Sequence, residues 1–277
     1  MSSTQVAHSP TDYILNCSTL LTELPVLERP AAAKEAGFEA IEFWWPFPTA
    51  APADVEVDDF VASVQNAGVR LAGLNFFAGD MPGGERGIVS WQGREAELRD
   101  SVAIAAAIGE RLGCTAFNAL YGLRYPDQDP QAQDELAISN LVAAAEGVAP
   151  IGGTVLVEPV SGAEDYPLKT AADALDVIGK VRAAGAENVR LLADFYHMAV
   201  NGDDVAAVIE EHAAEFGHIQ IADAPGRGAP GTGDLPLFEW IARSRELGYS
   251  GEVALEYKQD RATAFDWFRQ GSVAAAR

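Results

Sequence analysis

Short apolar runs alternate with longer amphipathic stretches along almost the whole chain. The runs typical of strands are YILNCST, AIEFWW, VRLAGLNFF, TAFNALYG, TVLVEPV, NVRLLADFYHM, HIQIAD and EVALEYK. Each run is followed by a stretch with apolar positions at helical spacing, such as VDDFVASVQNAG after the second run and RATAFDWFRQGSVA after the last. Most of these stretches end in Ala-Gly, Leu-Gly or Phe-Gly, which is typical of a helix that stops at a glycine. The pattern therefore predicts eight consecutive strand–helix pairs.

The predicted strands are apolar on both faces, as parallel strands covered by helices must be. A chain of 277 residues also suits one barrel of this kind, since such barrels take about 250 residues. We therefore predict a single (β/α)8 TIM-barrel domain over residues 1–277, with residues 1–12 as a flexible polar lead. A doubly wound open sheet is the alternative, because alternation by itself does not show that the sheet closes.

The chain is strongly acidic, with a formal net charge of −22. Such a charge repels nucleic acid and anionic membrane surfaces, so neither is expected as a partner. A small anionic substrate stays compatible with it, because a site can be locally positive. The N-terminus lacks the pattern of a signal peptide, and no apolar run approaches the roughly 20 residues of a membrane span. A cytoplasmic protein is expected, and a homo-oligomer is left open.

The two cysteines, Cys17 and Cys114, fall at opposite ends of the predicted barrel. A disulfide between them is therefore not expected, which agrees with a reducing compartment.

Four consecutive predicted strands deliver a polar side chain near their carboxyl ends: Glu158, Asp194, Gln220 and Glu256. The steps between them are 36, 26 and 36 residues, each about one strand–helix unit of roughly 30 residues. In a barrel these strand ends are neighbours that face one mouth. A buried carboxylate without a partner is costly, and a shared divalent cation is the simplest partner for the set.

Three carboxylates and one amide oxygen are hard oxygen ligands, which suit Mg²⁺ or Mn²⁺ better than zinc. We therefore predict one divalent metal ion held by Glu158, Asp194, Gln220 and Glu256. A single acid at a strand end is more often a helix cap or a surface partner. The prediction depends on the complete set.

Two further residues are candidates for substrate binding. His197 follows Asp194 by three residues and is expected to donate to the substrate, with a capping or core histidine as the alternative. Arg227 lies in the loop beyond Gln220, where its planar fork is suited to hold a carboxylate in two parallel hydrogen bonds. A surface charge is the alternative for Arg227.

The glycines of the same loop, Gly226, Gly228 and Gly231, match the dinucleotide-binding pattern GxGxxG. That fingerprint needs a tight turn that opens directly into a helix, whereas Pro230 interrupts this one and the helix is expected only near Pro236. We expect these glycines to let backbone approach a ligand closely. Five aromatic residues are candidates for the pocket wall or, equally, for core packing: Trp44, Trp45, Phe47, Phe76 and Phe77.

The order EP, DFYHM, HIQIADAPGRGAPGTGD and LEYK resembles the hydroxypyruvate isomerases, within the xylose isomerase-like group of TIM barrels. The likeness extends over nearly the whole chain, and the strand 7 loop is its most specific part. It implies that Glu158 and Glu256 are the two acid/base carboxylates and that Asp194 and Gln220 complete the metal site. His197 and Arg227 would be substrate contacts.

One difference from the family lies beside Arg227. Relatives commonly carry His-Glu where this chain has Gly228-Ala229, which removes a possible polar contact and bears on the choice of substrate.

Together these features predict an isomerase that interconverts hydroxypyruvate and tartronate semialdehyde by metal-assisted enediolate proton transfer between Glu158 and Glu256. Alternatives within the barrel group are a 2-oxotetronate isomerase, a ketose epimerase and a metal-dependent nuclease. A nuclease would need a basic groove and several histidine ligands, but the chain has only four histidines and a large negative charge. A non-catalytic sugar-acid binding protein is the alternative of a different class.

Overall fold

Eight parallel strands close into a barrel in the computed structural model, which describes residues 8–268. The strands are β1 Tyr13–Asn16, β2 Ala40–Phe43, β3 Arg70–Asn75, β4 Ala116–Asn118, β5 Thr154–Val157, β6 Val189–Asp194, β7 Phe216–Ile221 and β8 Val253–Leu255. The first strand pairs with the last, with Ile14 opposite Ala254. The predicted (β/α)8 barrel is therefore confirmed, and the open sheet is excluded.

Helices cover the outside of the barrel between consecutive strands. They are α1 Arg29–Glu35, α2 Asp54–Ala67, α3 Glu95–Leu112, α4 Pro130–Val148, α5 Ala171–Ala183, α6 Phe195–Val200, α7 Val205–His212 and α8 Leu237–Glu246. In α2 the buried residues Phe60, Val61 and Val64 form the face that packs on the barrel. The helix ends at Gly68, whose φ of 65° is the left-handed conformation that glycine adopts without strain.

The sixth strand ends earlier than its sequence pattern predicts. The run NVRLLADFYHM was expected to be a strand throughout, but β6 stops at Asp194 and α6 begins at Phe195. The cause is the Asp194 side chain, whose Oδ1 accepts the backbone N–H groups of Tyr196 at 2.8 Å and His197 at 3.0 Å. This N-cap turns the chain into a helix directly after the strand.

The two ends of the chain limit what can be compared with the predictions. Of the predicted last helix, residues 269–274 lie outside the described residues, and residues 261–265 form turns. Of the predicted lead, residues 1–7 lie outside, and Pro10–Asp12 form a 3-10 helix. Within residues 8–268, no helix is both long and apolar enough to span a bilayer. Cys17 and Cys114 are buried free thiols, as expected.

Candidate active site

The carboxyl ends of the strands surround a cavity of about 1120 Å³. Its wall includes four of the six predicted site residues: Glu158, His197, Arg227 and Glu256. The other two, Asp194 and Gln220, are buried with exposed fractions of 1% and 4%. Hydrogen bonds and close contacts, described below, connect most of these side chains to one another.

Asp194 lies at the centre of this group. Its Oδ1 caps α6, while its Oδ2 lies 3.7 Å from His197 Nε2 and 3.9 Å from Arg227 Nη2. Glu158, Asp194 and His197 can each offer one ligand atom, and these three atoms lie within 4.8 Å of one another. The two carboxylates among them, Glu158 and Asp194, are therefore close enough to bind the same cation.

Gln220 has a side-chain amide oxygen that accepts no hydrogen bond within residues 8–268. Its Nε2 donates to Glu42 Oε1 at 2.7 Å, whereas its Oε1 is buried and has no hydrogen-bond partner among the described residues. Glu256 Oε2 is in the same condition. A buried acceptor without a donor is costly, and a cation held at the site by these residues would satisfy such oxygens.

Burial raises the pKa of both glutamates. For Glu158 the burial is reinforced by the nearby charges of Glu256 and Asp194, and its pKa lies well above the ordinary value although Asn118 Nδ2 donates to its Oε2 at 2.7 Å. For Glu256 burial outweighs the opposing attraction of Arg227, so this pKa is also raised. Groups poised in this way are suited to exchange protons near neutral pH.

Glu256 is held from two directions. Trp44 Nε1 donates to its Oε1 at 2.8 Å, and Arg227 Nη2 lies 3.2 Å from the same oxygen. These contacts connect β8 with the segment after β2 and with the loop after β7. Both contacts are made by Oε1, and Oε2 has no hydrogen-bond partner within residues 8–268.

His197 is fixed in one tautomer by Ser161. The backbone N–H of Ser161 donates to His197 Nδ1 at 3.0 Å, so this nitrogen carries no hydrogen. Burial lowers the pKa of His197 to about 4, so the ring is neutral near pH 7 and its hydrogen lies on Nε2. A protonated Nε2 donates and cannot ligate a metal. His197 therefore suits the predicted role of a donor, although it belongs to the acidic cluster.

The loop after β7 is built around Asp223, which is fully buried. Its two carboxylate oxygens accept backbone N–H groups from four residues of the loop: Ala224, Gly231, Gly233 and Leu235. The loop also closes through paired backbone hydrogen bonds between Asp223 and Gly228. Helix α8 begins only at Leu237, so the GxGxxG match is not a dinucleotide turn, as expected.

This loop presents Arg227 to the cavity. Its backbone has a φ of 58°, a conformation that is uncommon outside glycine, and its guanidinium carbon lies 5.5 Å from the centre of the Tyr196 ring. Its Nε donates to the backbone carbonyl of Glu256 at 3.1 Å. Arg227 is therefore an ordered part of the site rather than a surface charge.

The remaining wall of the cavity is aromatic on one side. Of the five aromatic candidates, Trp44, Trp45, Phe47 and Phe77 line it, while Phe76 is buried and stacks on Phe117. Lys258, two residues beyond Glu256, also lines the cavity, and the structure gives its ammonium group no ion pair within residues 8–268.

Several residues of the site were not predicted from the sequence. For Trp44, a candidate for the pocket wall, only the hydrogen bond to Glu256 was not predicted. The others are Asn16, Glu42, Asn118, Ser161 and Lys258. A signal for three of them was present, because β1, β2 and β4 carry polar residues at or near their carboxyl ends just as β5 to β8 do. The same reading of strand ends, applied to the first half of the barrel, would have found Asn16, Glu42 and Asn118.

Comparison with known proteins agrees with this fold. Residues 30–272 match the family described as xylose isomerase-like TIM barrel, and the chain belongs to this family. A protein from Streptomyces coelicolor named as a putative hydroxypyruvate isomerase is 48% identical over 95% of this chain and 97% of its own. A 2-oxo-tetronate isomerase from Cupriavidus necator is 32% identical over 91% of this chain and 94% of its own.

Among solved structures, one described as AP endonuclease, family 2, from Brucella melitensis is 31% identical. It has a TM-score of 0.83 and covers 94% of this chain and 98% of its own. The fold and these relatives identify the chain as an isomerase and confirm the resemblance drawn from the strand-end motifs.

Proposed function

We propose that this enzyme interconverts hydroxypyruvate and tartronate semialdehyde by moving a proton between adjacent carbons. The observation that carries the proposal is the pair Glu158 and Glu256, two buried carboxyl groups with raised pKa values that face one cavity. The 48% identity to a protein named as a putative hydroxypyruvate isomerase supports this substrate.

A divalent metal ion, Mg²⁺ or Mn²⁺, is part of the proposal. Glu158, Asp194, Gln220 and Glu256 would hold it, and the fit is supported by the two partnerless buried oxygens, Gln220 Oε1 and Glu256 Oε2. Oxygen donors of this kind favour these ions over softer ones. When bound, such an ion supplies charge that stabilises an enediolate and polarises the substrate carbonyl.

The two glutamates divide the proton transfer between them. Starting from hydroxypyruvate, one glutamate removes a proton from C3, which carries the hydroxyl group, and the electron pair forms the C2–C3 double bond of the enediolate. As that bond forms, the C2 carbonyl pair moves onto the C2 oxygen, which takes up the proton that the C3 hydroxyl gives up. The other glutamate, in its protonated form, delivers a proton to C2, so that C3 becomes the aldehyde and C2 carries the hydroxyl. His197 Nε2–H, held toward the acidic cluster by Ser161, donates to a substrate oxygen on which negative charge develops.

The substrate carboxylate is bound by the cations at the rim. Arg227 has a guanidinium group at the cavity wall, and Lys258 lies beside it, since the backbone N–H of Lys258 donates to the Arg227 carbonyl at 2.8 Å. Two cations on one side of a strongly acidic site give a small carboxylate one favourable orientation. A neutral sugar would offer no negative charge to either cation.

A longer oxo-acid is the second candidate. The cavity volume of about 1120 Å³ exceeds what a three-carbon acid fills, and a relative at 32% identity is a 2-oxo-tetronate isomerase. A 2-oxotetronate would use the same rim cations and the same two glutamates, with its additional carbon toward the aromatic wall. A nuclease activity is disfavoured because the chain carries a net charge of −22 and its one histidine in the acidic cluster is a donor.

The test is to follow the reaction directly. Purified protein, stripped of metal and reloaded with Mn²⁺ or Mg²⁺, is incubated with hydroxypyruvate and, separately, with 2-oxotetronate, and the products are identified by NMR. Conversion of hydroxypyruvate to tartronate semialdehyde with the higher kcat/KM supports the proposal. Turnover confined to the four-carbon acid would assign the enzyme to the second candidate, and binding without turnover of either acid would contradict an isomerase acting on such acids.

A further inference from the structure

The amide of Gln220 could in principle adopt two orientations that exchange its oxygen and its nitrogen. Only one of them turns the oxygen away from Glu42, and Gln220 stands opposite Asp194 in the β6–β7 pairing. An amide N–H group cannot ligate a cation, so the orientation decides whether Gln220 can serve the proposed metal site. The hydrogen bonds around it determine which orientation is present.

The orientation can be traced back to two backbone groups after β1. Asn16 Oδ1 accepts the backbone N–H groups of Ser18 at 2.9 Å and Thr19 at 3.2 Å. Because both groups can only donate, the oxygen of the Asn16 amide must face them. Its nitrogen therefore faces the other way, where Nδ2 donates to Glu42 Oε1 at 2.7 Å.

Glu42 connects the orientation of the Asn16 amide with that of the Gln220 amide. Its Oε1 is already an acceptor for Asn16, and it lies 2.7 Å from the nitrogen of Gln220. Its other oxygen, Oε2, is 2.7 Å from His218 Nε2. Glu42 is 3% exposed, so water does not compete for these contacts. Gln220 must then present Nε2 to Glu42 and Oε1 to the opposite side.

We propose that Asn16 and Glu42 are positioning residues that orient the Gln220 amide with its oxygen toward the metal site. The proposal rests on the divalent metal of the proposed function. It goes beyond that function in assigning to β1 and β2 a part in metal binding, although no residue of these strands is a ligand. In the β1–β2 pairing Asn16 stands opposite Glu42, so their juxtaposition is built into the register.

The experiment measures the Kd for Mn²⁺ by calorimetry on the metal-stripped full-length chain. Glu42→Met removes the oxygen that accepts from Gln220 Nε2. If a cation then binds Gln220 Oε1, the amide hydrogens of Gln220 stay buried without an acceptor. Loss of such an outer partner weakens metal affinity about 10- to 100-fold. Glu42→Gln keeps an oxygen that can accept from Asn16 and Gln220, and it should retain most of the affinity.

Two further variants distinguish an effect on the orientation of the Gln220 amide from a general loss of stability. If Glu42 acts through Gln220, Glu42→Met should weaken Mn²⁺ binding no further in a Gln220→Met background. Asn140→Ala removes a buried hydrogen bond to the Val89 carbonyl on the outside of the barrel, and should lower stability without changing the Kd. Unchanged Mn²⁺ affinity in a folded Glu42→Met variant, or equal losses in both backgrounds, would overturn the positioning role.

A measurement on the unaltered protein covers the case in which Glu42→Met does not fold. In metal-free protein labelled with ¹⁵N-glutamine, the Gln220 amide hydrogen that Nε2 donates to Glu42 should be protected from exchange with solvent, with the signal assigned by its loss in Gln220→Met. Rapid exchange of both Gln220 amide hydrogens would overturn the proposal. If the unaltered protein binds no divalent ion at all, both the positioning proposal and the proposed metal site are wrong. If the unaltered protein binds Mn²⁺ but the variants do not show the expected affinities, only the positioning proposal is wrong.

Discussion

Arg227 holds Glu256 at both its backbone and its side chain: Nε donates to the Glu256 carbonyl oxygen at 3.1 Å, and Nη2 lies 3.2 Å from Oε1. A lysine could not make both contacts, because its single ammonium group lacks the planar fork. The arginine therefore does two things at once. It fixes a proposed acid/base group, and it keeps positive charge at the cavity wall for the substrate carboxylate.

Arg227→Lys should for this reason lower activity on every substrate, but more on an acid than on a neutral analogue. Dihydroxyacetone has the same reacting carbons as hydroxypyruvate, with a hydroxymethyl group in place of the carboxylate. A lost charge-assisted hydrogen bond is worth about 1.5–3 kcal/mol, so kcat/KM for hydroxypyruvate should fall roughly 10- to 100-fold. The fall for dihydroxyacetone should be smaller and should report the loosened Glu256. An equal fall in kcat/KM for the two compounds would mean that Arg227 does not bind the substrate carboxylate.

Lys258→Met tests the second cation at the rim. Lys258 is exposed and forms no ion pair with Glu256 within residues 8–268, so this change should affect the acid alone. We expect kcat/KM for hydroxypyruvate to fall roughly fivefold, which corresponds to about 1 kcal/mol. This value lies between the contribution of an exposed ion pair and that of a hydrogen bond to a charged group. Lys258→Arg, which keeps the charge, is the matched control and should stay near the activity of the unaltered enzyme. A comparable loss with dihydroxyacetone would remove Lys258 from carboxylate binding.

The barrel itself was predictable because its signal is repeated eight times. Apolar strands, helical spacing and terminal glycines each recur in almost every unit, so local errors do not change the fold. The error at β6 had a different origin. Whether DFYHM continues a strand depends on what the Asp194 side chain does, and the same carboxylate could cap a helix or serve only as a ligand; in the structure its Oδ1 caps α6.

The position of the candidate site was predictable where one strand end carried one polar group, as with Glu158 and Asp194, which the structure brings close together. It was not predictable where a contact joins distant segments. The Trp44–Glu256 hydrogen bond spans 212 positions and the Gln220–Glu42 bond spans 178. Neither contact can be predicted from the spacing of neighbouring residues in the sequence, because both form only when the barrel closes. Trp44 could be proposed as an aromatic wall, but its indole N–H donor role required the structure.

Metal binding should release protons, with affinity that rises with pH. In the metal-free protein the raised pKa values of Glu158 and Glu256 keep protons on these carboxyls above pH 4.5, where the unfolded chain has lost them. Folded protein therefore binds more protons than unfolded protein in this window, and its stability should fall as pH rises through the raised pKa values. A divalent ion should displace protons from this pair of carboxyls and so reduce the dependence.

Calorimetric titration of Mn²⁺ in buffers of different ionisation enthalpy, between about pH 5 and 8, counts the released protons directly. Thermal unfolding with and without Mn²⁺ over the same range supplies the stability curve. Binding that releases no protons at any of these pH values would show that both carboxyls are already ionised in the metal-free site.

Glu158→Gln and Glu256→Gln should each abolish turnover, for reasons that can be separated. Each change removes a base while keeping a carbonyl oxygen that can still reach a metal. If the two glutamates act on different carbons, one variant should exchange the C3 hydrogens of hydroxypyruvate with D₂O without forming product. The other should show no exchange from hydroxypyruvate but should exchange the C2 hydrogen of tartronate semialdehyde. Deuterium uptake followed by NMR from both directions therefore assigns each glutamate to its carbon. Exchange lost in both variants from both directions would point to disrupted metal binding, and substantial turnover in either would remove that glutamate from the proton transfer.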